Sequence, residues 1–338
     1  MASGQRVGFF FKKTSYKELG MKKYFLSMIL LLIILAFHKV SIGYAQQDKN
    51  IHAKKLNQMK TTLKKSSDAN WSREIERLTG LKGTLDKKEN VFKVSFPRSD
   101  LAVEVEGIPL SPPMGLTVWA AFKNLDNRVM MMGDMVLRED QVNPVMSLAL
   151  QNGLEVTALH NHFLGDSPRV MFMHISGMGD LKQIAAAVAE IFTKIKETSA
   201  PGEKHTYPTK TSLDPRKIDD ILEIKGQLVS GVYKVVIGKF TKMHGLLLGS
   251  AMGVNTWAAF SGSDENAVVD GDFVMYESEL QPVLRALRRA DINVVAIHNH
   301  MIGESPRVIF LHYWGIGKTV DLARGIKSAL DAQSRRKK

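Results

Sequence analysis

The stretch "ALHNHFLGDSPRVMFMHISGMG" (158–179) returns as "AIHNHMIGESPRVIFLHYWGIG" (296–317). Twelve of the twenty positions from His160 to Gly179 are identical to those from His298 to Gly317, so the two stretches are copies of one phrase. A shift of 138 residues extends the match without a gap from Gly107 onward. "GLTVWAAF" (115–122) meets "GVNTWAAF" (253–260), and "GDMVLREDQVNPV" (133–145) meets "GDFVMYESELQPV" (271–283). A period this long is a tandem domain duplication and not a solenoid.

Each copy reads as the same order of elements. A short helix opens it, "SREIERLTG" in the first and "DPRKIDDILEI" in the second, where Asp214 caps and Pro215 takes the first helical position. Short β-branched and aromatic runs predict strands at about 91–97, 101–107, 117–123 and 129–137. A helix over 139–152, strands over 154–162 and 168–175, and a helix over 179–197 complete the unit. Gly177-x-Gly179 and Gly315-x-Gly317 read as strand-to-helix turns. The expected fold class is α+β: two repeats, each a mixed or antiparallel sheet with helices packed on it. The divisions are an extension with a signal peptide (1–45), a segment without a functional reading (46–68), a first repeat (69–199), a linker (200–213) and a second repeat (214–334).

The signal reading rests on "MKK" (21–23), the apolar run "YFLSMILLLIILAF" (24–37) and small Gly43 and Ala45 before "QQDKN". The run is short for a membrane span, which needs ~20 apolar residues. Export to the periplasm or beyond is therefore expected, with no stable span after cleavage. There is no cysteine, which excludes disulfides, thiolate metal sites and a cysteine nucleophile. Of the net charge of +12, residues 1–45 carry seven Lys/Arg against Glu18, leaving +12 − 6 = +6. Basic residues interleaved with aromatics are absent, so nucleic acid is not an expected partner.

In 154–162 the even positions place Leu154, Val156, Ala158, His160 and His162 on one face, and Val170, Phe172 and His174 share a face of the next strand. A hairpin would bring His160, His162 and His174 together, and the second copy repeats the set with His298, His300 and His312. Three neutral imidazoles with an open position suit zinc or another divalent transition metal. Acids duplicated beside them are Asp134 with Asp272, Glu139 with Glu277, and Asp166 with Glu304; the first two pairs are candidate catalytic bases. Arg169 and Arg307 are candidates for holding an anionic group. The retention of a full set in each copy points to two separate pockets, the copies pairing about a pseudo-two-fold axis. The alternative for the histidines is a hydrogen-bonded or structural role without metal.

The methionine group Met130, Met131, Met132, Met135, Met171 and Met173 reads as core filling, since five of these meet apolar residues in the second copy. Trp119 and Trp257 read as core anchors. "HNH" carries no recognisable nuclease pattern around it. The quoted phrases "GDMVLREDQVNPV", "ALHNH" and "SPRVMFMHISGMGD", with their second copies, resemble the LppY/LpqO family of exported bacterial proteins, a domain of unknown function. The resemblance implies export and the tandem architecture and supplies no activity. The functional expectation is an exported metal-binding protein, with metal-dependent hydrolysis as its candidate activity and a small molecule or a cell-envelope component as its ligand. Its rival is a non-catalytic binding module for a cell-envelope ligand.

Overall fold

The computed structural model describes residue 54 and residues 70–125, 128–198 and 209–334. The signal peptide and most of 46–68 and of the linker lie outside the described residues. Residues 70 onward belong to one compact unit, Asn70–Lys338.

The first repeat runs α1 (70–79), β1 (Gly83–Asp86), β2 (Val91–Pro97), β3 (Glu104–Val105), β4 (Ile108–Pro109), β5 (Thr117–Leu125), β6 (Arg128–Arg138), α2 (Glu139–Gln151), β7 (Glu155–His160), β8 (Asp166–Ser167), β9 (Val170–Gly179) and α3 (Leu181–Glu197). The second runs α4 (Pro215–Leu222), β10 (Gln227–Val229), β11 (Val232–Gly238), β12 (Thr241–Met243), β13 (Leu246–Leu248), β14 (Asn255–Gly262), β15 (Ala267–Tyr276), α5 (Glu277–Arg289), β16 (Asn293–His298), β17 (Val308–Gly317) and α6 (Thr319–Ser334). Each repeat builds a six-stranded sheet of the same order, β1-β2-β5-β6-β9-β7 and β10-β11-β14-β15-β17-β16. Every pairing within them is antiparallel, so the fold is α+β with purely antiparallel principal sheets.

Strand periodicity sorts the side chains into two layers. Phe92, Val94, Ala120, Phe122 and Met131 pack with Ile184, Val188, Ile191 and Phe192 of α3, so one face of the first sheet is covered by helices of its own repeat. The alternate residues Val91, Ala121, Met130 and Met132 pack instead with Met243, Leu248, Met252 and Val254 of the other repeat. The reciprocal holds for Val232, Ala259 and Val268, which join Leu110, Met114 and Leu116 of the first repeat. Each repeat thus extends the segment before its long hairpin across the inner face of the other's sheet, leaving helices outside and sheets facing inward.

Three expectations are corrected. The strand over 101–107 is broken, because Glu106 and Gly107 take positive φ (53° and 76°) and turn the chain between β3 and β4. Gly177 and Gly179 end β9 and do not form a turn; a Cβ on Gly177 would lie 2.7 Å from the Leu154 side chain and 3.2 Å from that of Ile184. The bare glycine lets α3, capped by Asp180, close on the sheet. The even positions of 154–162 do not share one face either. A β-bulge between Val156 and Ala158 inserts an extra residue, so Val156 stays with the helix-side core while Ala158 pairs with His174. The second copy has the same bulge, between Val294 and Ala296.

Candidate metal centre

The bulge is what turns the histidines inward. Beyond it, β7 and β9 present His160 and His174 on the inner face, and the loop after β7 brings His162 beside them; β16, β17 and their loop do the same for His298, His312 and His300. The bulged residue Thr157 donates its hydroxyl to the His300 carbonyl at 2.7 Å, and Asn299 Nδ2 donates to the Thr157 carbonyl at 2.8 Å. The loop histidine of one repeat is therefore tethered to the edge strand of the other.

The six imidazoles form one cluster. His160 and His298 stack with centroids 3.8 Å apart, His162 lies 3.5 Å from His312, and His174 lies 4.0 Å from His300. The last two contacts are reciprocal, loop histidine of one copy on strand histidine of the other, as a two-fold relation requires. The expectation of two separate pockets is overturned: sheets that face each other across such an axis necessarily bring both phrases to the same place. Among the described residues two groups have one ligand atom from each member within 4.8 Å of the others, His160–His298–His312 and His174–His298–His300. Both mix the repeats, and both use His298.

The hydrogen bonding leaves these rings ready to act as ligands. His160 Nδ1 faces the Asn161 carbonyl at 3.1 Å and His312 Nδ1 the Gly271 carbonyl at 3.2 Å, which places their protons on Nδ1 and the lone pairs on Nε2. Those Nε2 atoms are buried without a partner, as are His174 Nε2, His162 Nδ1, His300 Nδ1 and both nitrogens of His298. Burial, then repulsion from neighbouring imidazoles, holds His162, His174, His298 and His312 well below the ordinary 6.5. Burial draws His160 and His300 down to about 3. The rings are neutral at physiological pH, the form that binds a metal. Leaving a buried polar atom unpaired costs about 1–3 kcal/mol, so a cluster of seven such nitrogens fits a donor set for a metal ion.

Carboxylates stand behind the rings. Asp134 and Asp272 occupy equivalent places opposite His174 and His312 in the sheet register. Asp272 Oδ2 lies 3.2 Å from His300 Nε2, and its Oδ1 accepts the Leu311 amide at 3.1 Å. Asp134 Oδ1 is 4.0 Å from His174 Nδ1. Burial, then the charge of Asp272, pushes Asp134 up to about 8, and burial holds Asp272 well above the ordinary 3.8. Asp270 escaped the sequence reading. It is fully buried with neither oxygen partnered, and a Cβ on Gly115 would lie 3.1 Å from its Oδ2 and 3.0 Å from His162 Nδ1. The signal was present: alone among the six methionine positions, Met132 meets a charged residue, Asp270, in the second copy.

Other candidates lie elsewhere. Glu139 and Glu277 are the exposed first residues of α2 and α5, and Arg307 faces Glu277 at 4.0 Å on the surface. Arg169 is likewise exposed. The strands carry Asp134 and Asp272 inward, but the chain leaves the sheet before the glutamates and delivers them to solvent. Asp166 Oδ2 and Glu304 Oε1 accept the amides of Val170 (2.8 Å) and Val308 (3.1 Å), fixing the turn into β9 and β17. Trp119 and Trp257 are half-buried, each packed on one side against a core cluster. They line a cavity of about 530 Å³ with Asp134, Asp272, His162, His300 and His312.

A family described as Domain of Unknown Function (DUF1259) matches residues 73–194 and 216–332, one match per repeat. The chain belongs to this family. No curated protein matches it. Among solved structures it is similar to a trimeric bacterial microcompartment shell protein, PduB, at 8% identity and a TM-score of 0.20, over 75% of this chain and 90% of that one. EtuB from Clostridium kluyveri is similar at 12% identity and a TM-score of 0.20, over 76% of this chain and 91% of that one. Likenesses this slight bear on neither fold nor function.

Proposed function

We propose that this DUF1259 protein is an exported metal-binding protein that holds transition-metal ions between its two repeats, and that it is a metal-dependent hydrolase. The observation that carries the reading is the convergence of unpartnered, buried imidazole nitrogens from both repeats within 4.8 Å in two groups. Zinc, or another divalent ion that favours imidazole, is the expected occupant. Such an ion, when bound, would polarise a substrate oxygen or a water.

The chain's own part in hydrolysis falls to the buried acids. Asp134, pushed up to about 8, can give and take a proton near neutral pH, as general acid–base work requires, and burial holds the Asp272 carboxyl well above the ordinary carboxylate range. Both line the cavity beside the histidines, which gives a substrate a way in. Export is supported by the sequence of 21–45 and by the likeness to LppY/LpqO proteins, and no helix among the described residues is long and apolar enough to cross a membrane.

The test is elemental analysis of the protein purified without a metal-affinity tag. At least about one equivalent of a transition metal per chain, retained through gel filtration, is expected of a three-imidazole site. Protein that carries none and takes up none on addition would instead support the metal-free binding module.

A further inference from the structure

The cavity beside the histidines has a second set of residues for which metal binding has no use. Lys93 on β2 and Lys234 on β11 line it from equivalent positions of the two repeats. Lys93 Nζ sits over the Trp119 ring at 3.9 Å, and Lys234 Nζ over the Trp257 ring at 3.8 Å. Among the described residues neither ammonium group forms an ion pair, although Asp134 and Asp272 line the same cavity. Asp134 and Asp272 are directed at His174 and His300, and although the charges of Asp134, Asp270 and Asp272 reach the lysines, none of the three lies within ion-pair distance of either.

We propose that this cavity binds a small oxyanion-bearing ligand, its phosphate or carboxylate group held between Lys93 and Lys234 and its apolar part lying against Trp119 and Trp257. Three features support this. The site is duplicated as a unit, each lysine standing over its own tryptophan, so two cations converge on one space from opposite sheets. The indole under each ammonium fixes its position by a cation–π contact, so little side-chain freedom is lost when the anion arrives. A volume of about 530 Å³ is that of a small-molecule pocket. Burial, then the charge of Lys234, draws Lys93 down to about 8, and burial draws Lys234 down to about 8, so the pull of Asp134 on the first and of Asp270 and Asp272 on the second does not offset the loss of water. The proposal concerns the lysine–tryptophan half of the cavity and does not depend on the metal reading.

The experiment is calorimetric titration of the full chain with phenyl phosphate, benzoate and phenol, before and after metal is stripped with a chelator. Both anions should bind, phenol at least about tenfold more weakly, since a charge-assisted hydrogen bond contributes ~1.5–3 kcal/mol. The tighter of the two anions identifies the class. Lys93→Met and Lys234→Met should each weaken anion binding by about tenfold or more. Lys93→Arg and Lys234→Arg should retain it, and all four variants should keep the metal content of the parent. Equal affinity for phenol and the anions in the unaltered chain would overturn the proposal without any variant. So would anion binding that survives both methionine substitutions, or that disappears when metal is stripped. The last outcome would assign the anion to the metal and leave the metal reading standing.

Discussion

The rings of His160 and His298 stack 3.8 Å apart, although one belongs to each repeat and the same position of the same phrase supplies both. A residue that meets its own duplicate lies on the symmetry axis, and whatever the pair binds must be shared. His298, with both nitrogens free and membership in both candidate groups, is the side chain on which the centre depends most.

Replacing histidines should therefore have unequal effects. His298→Ala removes a ligand from both groups and should abolish stoichiometric metal binding. The double variant His160→Ala/His162→Ala leaves His174, His298 and His300 in place and should keep one group. Elemental analysis of both variants, each first shown to unfold cooperatively, decides it. Equal losses in the two would contradict a centre hinged on His298.

Acid should destabilise the metal-free protein. Each histidine of the cluster titrates below 6.5 when folded, so between that value and its folded pKa the unfolded chain binds more protons, and stability falls as pH falls. Asp134, Asp270 and Asp272 are raised when folded and act in the opposite sense, losing stability as pH rises above about 4, for Asp134 until about 8. Six imidazoles outnumber three carboxylates, so the thermal midpoint should peak near neutrality and drop on acidification below about 6.5. Bound metal should flatten the acid limb until the ion is released. A midpoint that rises between pH 6.5 and 5 would contradict the buried, neutral state of the histidines.

Asp270→Met should stabilise the metal-free protein by about 1–3 kcal/mol, the scale of an unsatisfied buried group that an apolar side chain removes. In the first repeat Met132 fills the equivalent place, so nothing in the fold requires an acid there. Urea titration of the metal-free variant and parent measures the change. If the acid serves the neighbouring His162, the same substitution should weaken metal retention. A variant less stable than its parent would mean that Asp270 has a structural partner.

Arg98 makes a separate claim on stability. It is fully buried and donates from Nε and Nη2 to the two oxygens of Asp100 at 2.9 and 2.8 Å, and from Nη1 to the Val136 carbonyl and to Gln141. Gln141 Oε1 in turn accepts the Arg138 amide at 3.0 Å at the start of α2. Removing one partner of a buried pair costs ~3–5 kcal/mol, so Arg98→Ala should lower stability by about that amount in chemical denaturation. The second repeat joins the equivalent residues, Lys239 and Glu279, as a direct ion pair.

Duplication, element order and the identity of the histidine phrase were legible from residues alone, because periodicity and repetition are local properties of a chain. His160, His162 and His174 could be grouped by the hairpin their spacing implies. Which acids would join them could not: Asp134 and Glu139 are five positions apart, and only the point at which β6 gives way to α2 sends one inward and the other to solvent. The bulges at Thr157 and Val295 were invisible because one inserted residue reverses the face of everything after it without disturbing composition. Tertiary structure alone decided that two complete histidine sets make one centre. That depends on inner faces burying against each other across an axis, a contact between distant segments that no local pattern encodes. The same contact carries Lys93, Lys234 and the two tryptophans to a common cavity.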